Sequence, residues 1–220
     1  PFIPKYFGYD VGLNKQGAPA YQQSIDGVAR LEKNFKPEAG AIVVDARSEK
    51  TFKKGHYKGA INVQNGGKFE TWLGSIVSPS ESYYLIAESE EELKDLINKA
   101  SKIGYELLIK GAFVMDAEAD VKTPQLDLEE FRKHKDNYTI VDIRNESEVK
   151  GGKFFDKAIN IPLPELRERA KEIPADKPVV VHCAGGYRSA AGSSIVEAAL
   201  PDVKVLDLSE AVNDFKNGQK

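Results

Sequence analysis

The chain has 220 residues, enough for two small domains, and its 41% hydrophobic and 30% charged composition can bury a core and stay in solution. A formal net charge of −3 argues against a phosphate-backbone partner, so no nucleic-acid role is expected, and no apolar run reaches the length of a membrane span. A single cysteine excludes an internal disulfide, and one Cys with three unclustered His offers no metal-ligand set. Such cysteine usage makes a reducing, cytoplasmic setting the default.

Residues 1–19 are rich in Gly, Pro and aromatics and show no clear period. They lack the basic n-region and apolar stretch of a signal peptide. The missing starting Met raises the expectation that the chain is a fragment of something longer. Residues 21–35 read as a weakly amphipathic helix. Residues 41–44, 60–63 and 82–87 read as strands. A helix follows over 90–103, with Leu93, Leu96, Ile97 and Ala100 on one face, and Gly104 closes it. Residues 106–109 read as a further strand. Charges and a proline make 117–124 the linker. Beyond it, Asp127 caps a helix over 127–134 with Glu130 three residues on. Strands follow over 138–141, 158–161 and 179–182, then a small-residue helix over 189–200 and a strand over 203–206. The alternation indicates an α/β fold, with helices flanking mainly parallel sheets.

The second half repeats the first. Val43-Val44-Asp45-Ala46-Arg47 matches Ile140-Val141-Asp142-Ile143-Arg144, and Gly59-Ala60-Ile61-Asn62-Val63 matches Lys157-Ala158-Ile159-Asn160-Ile161. The matches keep their order and nearly their spacing. We therefore assign residues 1–19 to a tail, 20–116 to a first domain, 117–124 to a linker and 125–220 to a second copy of the same domain.

Chemistry concentrates in Val179-Val180-Val181-His182-Cys183-Ala184-Gly185-Gly186-Tyr187-Arg188-Ser189. A buried strand delivers Cys183 to its C-terminal end, where ligands bind in open α/β sheets. Gly185 and Gly186 let the backbone curl into an anion-binding nest. The following helix start adds unpaired N–H groups, and Arg188 adds a fixed charge. Together they favour a thiolate. A Cys that merely packs needs neither the glycines nor the arginine. Ala184, Gly185, Gly186, Tyr187 and Ser189 are the candidate binding loop, with Tyr187 either on its rim or in a packing role and Ser189 capping the helix. Arg188 either orients an anion or forms a structural salt bridge. His182 points away from its neighbour on the strand, so it reads as a core or supporting residue rather than the base for Cys183. His134 reads as solvated and His56 as structural. Asp142 and Arg144 recur as Asp45 and Arg47, which points to turn and salt-bridge roles.

These residues resemble the rhodanese family. Val141-Asp142-Ile143-Arg144 followed by Glu148 is similar to its first-strand signature, and Gly55-His56-Tyr57-Lys58-Gly59-Ala60 to its second-strand entry. The resemblance implies two rhodanese-like domains and a sulfurtransferase with Cys183 and Arg188 as catalytic residues. Cys183 would take a sulfane sulfur from thiosulfate or a persulfide and pass it to a thiol, sulfite or cyanide, with no cofactor. Pro4-Lys5-Tyr6-Phe7 through Asn14-Lys15-Gln16-Gly17-Ala18-Pro19 resembles the segment after the metallo-β-lactamase-fold domain in fusions of persulfide dioxygenase type. That makes such a domain the expected covalent partner. In the first copy, Ala87 replaces the nucleophile and Glu92 the arginine, so that copy is expected to be silent. Two rival readings are a persulfide carrier or interaction module without turnover, and a Cys-based phosphatase or arsenate reductase. The latter resemble Cys, five residues, then Arg, whereas four residues intervene here.

Overall fold

The structure, a computed structural model, describes residues 4, 6–17, 21–117, 119 and 121–216. Residues 1–3, 5 and 18–20 of the expected tail and first-domain start, 118 and 120 of the expected linker, and 217–220 at the end of the second domain lie outside the described residues. The chain divides after Val121 into two compact units.

In the first unit, β1 (Ile42–Asp45), β2 (Ile61–Asn62), β3 (Tyr83–Ala87) and β4 (Ile109–Val114) form one sheet in the order β2-β1-β3-β4, with every pairing parallel. Helices α1 (Tyr6–Gln16), α2 (Tyr21–Asp26), α3 (Glu49–Lys54), α4 (Phe69–Ile76) and α5 (Glu90–Ser101) complete it. Strand β3 is buried at every position, as a parallel strand covered on both faces must be. The Ser89 hydroxyl accepts from the Glu92 N–H to cap α5, whose Leu93, Leu96, Ile97 and Ala100 are buried.

Two expectations for this unit need correction. The helix expected over 21–35 stops at Asp26. Beyond it, Ala112 donates to the Ala29 carbonyl and Leu31 donates to the Ala112 carbonyl, so pairing with β4 overrides local helix preference. Residues 105–108 form a 3-10 turn, and the strand expected over 106–109 begins only at Ile109 and runs to Val114. Within 1–19, where no period was legible, α1 forms because it packs. The rings of Tyr6 and Tyr9 stand edge-on to Tyr105, with centroids 6.5 and 6.0 Å away. Val121, inside the expected linker, exchanges two backbone hydrogen bonds with His56.

The second unit repeats the plan. Strands β5 (Thr139–Asp142), β6 (Ile159–Asn160), β7 (Val179–His182) and β8 (Val205–Asp207) pair in parallel in the order β6-β5-β7-β8. Its helices are α6 (Leu128–Lys133), α7 (Glu146–Lys150), α8 (Leu166–Arg169) and α9 (Tyr187–Ala199). Asp127 caps α6 by accepting from the N–H groups of Glu129 and Glu130. Phe131, Ile140, Phe155, Val180, Leu206 and Val212 form the core under the sheet.

Both units turn off their first strand by the same device. In the second, the Asp142 carboxylate accepts from the Arg144 backbone N–H, Nε and Nη2, while Nη2 also donates to the Gly152 carbonyl. The Asn160 side-chain amide donates to the carbonyls of Asp142 and Arg144. In the first, Asp45, Arg47, Gly55 and Asn62 repeat these bonds. Asp142, Arg144, Asp45 and Arg47 are all buried, so each charge depends on its partner. Replacing Asp142 by Asn should strand a buried guanidinium and cost the second unit about 3–5 kcal/mol, and Asp45→Asn should do the same to the first. Urea unfolding of each variant measures this, and a loss below about 1 kcal/mol would contradict the assignment.

Candidate active site

Strand β7 lies between β5 and β8 and is buried along its length. It delivers Cys183 to its C-terminal end with 1% of its surface exposed. The chain then turns through Ala184, Gly185 and Gly186 into α9. The Gly186 N–H points back at the Cys183 sulfur, 3.2 Å away. Gly186 has φ 101, a conformation that favours glycine. A Cβ there would stand 2.8 Å from the Glu210 backbone nitrogen and 3.1 Å from its Cγ. The Ser209–Glu210 turn therefore closes directly onto the loop. Ser209 itself has φ 49 and donates its N–H to the Asp207 carboxylate at 2.8 Å.

Helix α9 sits close on the sheet because its inner face is small. A Cβ at Gly192 would meet Ile143 Cδ1 at 2.6 Å and Val181 Cγ1 at 3.1 Å. This seats the positive, N-terminal end of the helix beside Cys183. The helix begins at Tyr187, two residues earlier than expected, with Gly186 at its N-cap. Ser189 is therefore not the cap. It is the third helical residue, and its buried hydroxyl donates to the Gly186 carbonyl at 2.8 Å, bracing the loop from below. Ala184 and Tyr187 are half-buried and Gly185 is exposed, so these three form the outer edge of the loop.

Arg188 lies in the first turn of α9. Its two terminal nitrogens each donate to one oxygen of Glu148, both at 2.7 Å. The nearby Cys183 sulfur also favours the guanidinium charge. Burial works against its charge, but these contacts more than offset that and raise its pKa. The same pairing holds the Glu148 carboxyl below the usual carboxylate range, against its partial burial. Sequence reasoning had placed Glu148 only within a signature and missed it as the partner of Arg188. The detectable signal was the first copy, where Thr51 stands at the Glu148 position and Glu92 at the Arg188 position.

The rhodanese-like domain model matches residues 28–115 and 127–212. The chain belongs to the rhodanese-like family. An uncharacterized protein of Bacillus subtilis, YqhL, is 41% identical over 61 residues, which is 28% of this chain and 48% of that one. The chain thus spans about half the length of this curated relative. Among solved structures, a NAD-dependent persulfide reductase from A. fulgidus is 39% identical, with 39% of this chain and 14% of that chain covered and a TM-score of 0.31. A thiosulfate sulfurtransferase from Pseudomonas aeruginosa is 22% identical, with 77% of this chain and 38% of that one covered and a TM-score of 0.35.

The first rhodanese-like domain shows what this loop becomes without its cysteine. Strand register sets Ile86 opposite Asp45 as it sets His182 opposite Asp142, which puts Ala87 at the Cys183 position. There the loop is occupied by its own carboxylates. The Glu88 N–H donates to Glu92 at 2.9 Å, and Glu88 in turn accepts from the Ser48 N–H at 3.1 Å.

The three histidines separate by environment. His56 is buried and stacked on Phe52 with centroids 3.8 Å apart. His134 is exposed beside Glu130. His182 is fully buried, with its ring 5.0 Å from that of Phe155 and its Nε2 3.7 Å from Asp142. Among the described residues, no set of three His, Cys, Asp or Glu side chains is placed to hold a metal ion, and no helix is long and apolar enough to cross a membrane.

Two outcomes follow from this geometry. Gly186→Ala forces a disfavoured φ and a clash with backbone, so it should destabilise the second domain by about 1–3 kcal/mol. A variant unfolding at the wild-type denaturant midpoint would contradict it. Burial lowers the pKa of His182 from its ordinary 6.5, although Asp142 pulls the other way. The unfolded chain therefore takes up this proton first as pH falls. His182 should make the second domain lose stability below about pH 6.5, with a slope of at most about 1.4 kcal/mol per pH unit. Urea midpoints at pH 7.5 and 5.5 should differ less in His182→Phe than in the wild type.

Proposed function

We propose that the chain is a rhodanese-type sulfurtransferase that works through a persulfide on Cys183. The observation that carries this reading is the Cys183 sulfur held 3.2 Å from the Gly186 N–H at the start of α9, whose first turn carries Arg188. A negative sulfur is stabilised by such a preorganised cradle without reorganisation during the reaction.

In the first step, the Cys183 thiolate attacks the outer sulfur of thiosulfate. The S–S bond of the donor breaks, sulfite leaves with the bonding pair, and a Cys183 persulfide anion forms. In the second, an acceptor attacks the terminal sulfur and the Cys183 thiolate is regenerated. With cyanide the product is thiocyanate. A low-molecular-weight persulfide can replace thiosulfate, and a thiol or sulfite can replace cyanide. One difficult displacement is thereby divided in two. The near-complete burial of Cys183 favours a donor whose reacting sulfur protrudes from a slim body. A phosphate ester would need a wider cradle than three residues between Cys183 and the start of α9.

The first domain supplies the internal contrast. The Glu88 N–H of its loop is taken by Glu92 and the Glu88 carboxylate lies against the Ser48 N–H, so restoring a thiol there does not restore a cradle. With thiosulfate and cyanide, the wild type should release thiocyanate and Cys183→Ser should release none. Adding Ala87→Cys to Cys183→Ser should leave the rate at background. Thiocyanate formation that survives Cys183→Ser would overturn the proposal, as would aryl-phosphate hydrolysis without sulfur uptake.

A further inference from the structure

The two domains form an internal comparison in which scaffold and site can be separated. The buried Asp-Arg-Asn device is kept in both: Asp45, Arg47 and Asn62 in one, Asp142, Arg144 and Asn160 in the other. A residue needed only to fold the turn should likewise be kept. Glu148 is not. It stands six residues after Asp142, and six residues after Asp45 stands Thr51. The exchange coincides with the loss of the cysteine at Ala87 and of the arginine at Glu92.

The helix carrying this position starts alike in both domains, with φ −54 at Ser48 and φ −60 at Asn145, but the N–H there is used differently. The Asn145 N–H donates to Glu148 at 3.0 Å, closing a capping box on α7. The equivalent N–H in the first domain, that of Ser48, donates to Glu88 of the opposing loop. In the second domain, one fixed carboxylate thus runs from the turn to the loop. Its Oε2 takes the Asn145 N–H and one Arg188 nitrogen, and its Oε1 takes the other. A two-point contact sets the plane of a guanidinium, which a single contact does not.

We propose that Glu148 is a positioning residue, fixing the plane of the Arg188 guanidinium at the head of the Cys183 loop so that its charge serves the anion formed on that sulfur. It touches neither donor nor acceptor and acts only through Arg188. This rests on the Cys183 reading given above, and a measurement without turnover keeps the two distinguishable.

The test is a double-variant cycle of Glu148→Gln and Arg188→Gln in the full chain. Turnover with thiosulfate and cyanide, the rate of Cys183 alkylation by iodoacetamide and the unfolding midpoint are measured on each protein. Glu148→Gln should lower kcat by about tenfold to a hundredfold, as expected for a misplaced catalytic group, with KM changed far less. Glu148→Asp, which keeps the charge on a shorter arm, should recover part of the loss. In the double variant, kcat should equal that of Arg188→Gln alone. Alkylation should show the same pattern: a changed rate in each single variant and no further change in the double.

Glu148→Gln with wild-type kcat and alkylation rate would overturn the proposal, because it would leave Glu148 a merely structural role. Losses that multiply in the double variant would also overturn it. If the wild type makes no thiocyanate and forms no persulfide, the sulfurtransferase reading fails, and the alkylation cycle alone decides whether Glu148 acts through Arg188.

Discussion

The buried pair of Asp142 and Arg144 is the constraint on which the second domain's site depends. It closes the turn at the end of β5, and Asn160 on β6 ties off both carbonyls of that turn. The turn launches α7, α7 carries Glu148, and Glu148 fixes Arg188 across from it. Meanwhile β7, paired in register with β5, brings Cys183 to the same end of the sheet. An ion pair removed from water contributes little net stability by itself, but breaking one partner is costly. Its value here is geometric: it aims several elements at one point.

Both domains keep that device while the loop after the third strand differs. The sheet order, the parallel register and the Asp-Arg-Asn turn are common to both. What changes is confined to a few positions at the strand ends. Cys183 is exchanged for Ala87, Arg188 for Glu92 and Glu148 for Thr51, and the glycines give way to Ser89 and Glu90. Glu92 then takes the Glu88 N–H of the loop, and Glu88 takes the Ser48 N–H of the turn. The first domain keeps its core and its turn without the groups of a reactive loop.

What was legible in the sequence was local or repeated. The buried strands, the cap at Asp127 and the Cys-to-Arg loop each lie within a short segment, where hydrophobic period and turn chemistry speak directly. Duplication supplied the rest of the fold, since each copy confirmed the other. What was hidden depended on contacts between distant segments. Helix α1 has no periodic face and is held by Tyr105. Residues 29–31 gave up helix for pairing with β4. Ser189 looked like a cap, but the φ of Gly186 let the helix start earlier. The partner of Arg188 lies 40 positions away, so no local pattern announced it.

The central claim is that Cys183 carries the sulfur, and the most direct measurement is the mass of its proteolytic peptide after treatment with thiosulfate. The account predicts an added sulfur atom on the peptide containing Cys183, removed again by cyanide. Donor consumption with that peptide unchanged in mass would contradict it.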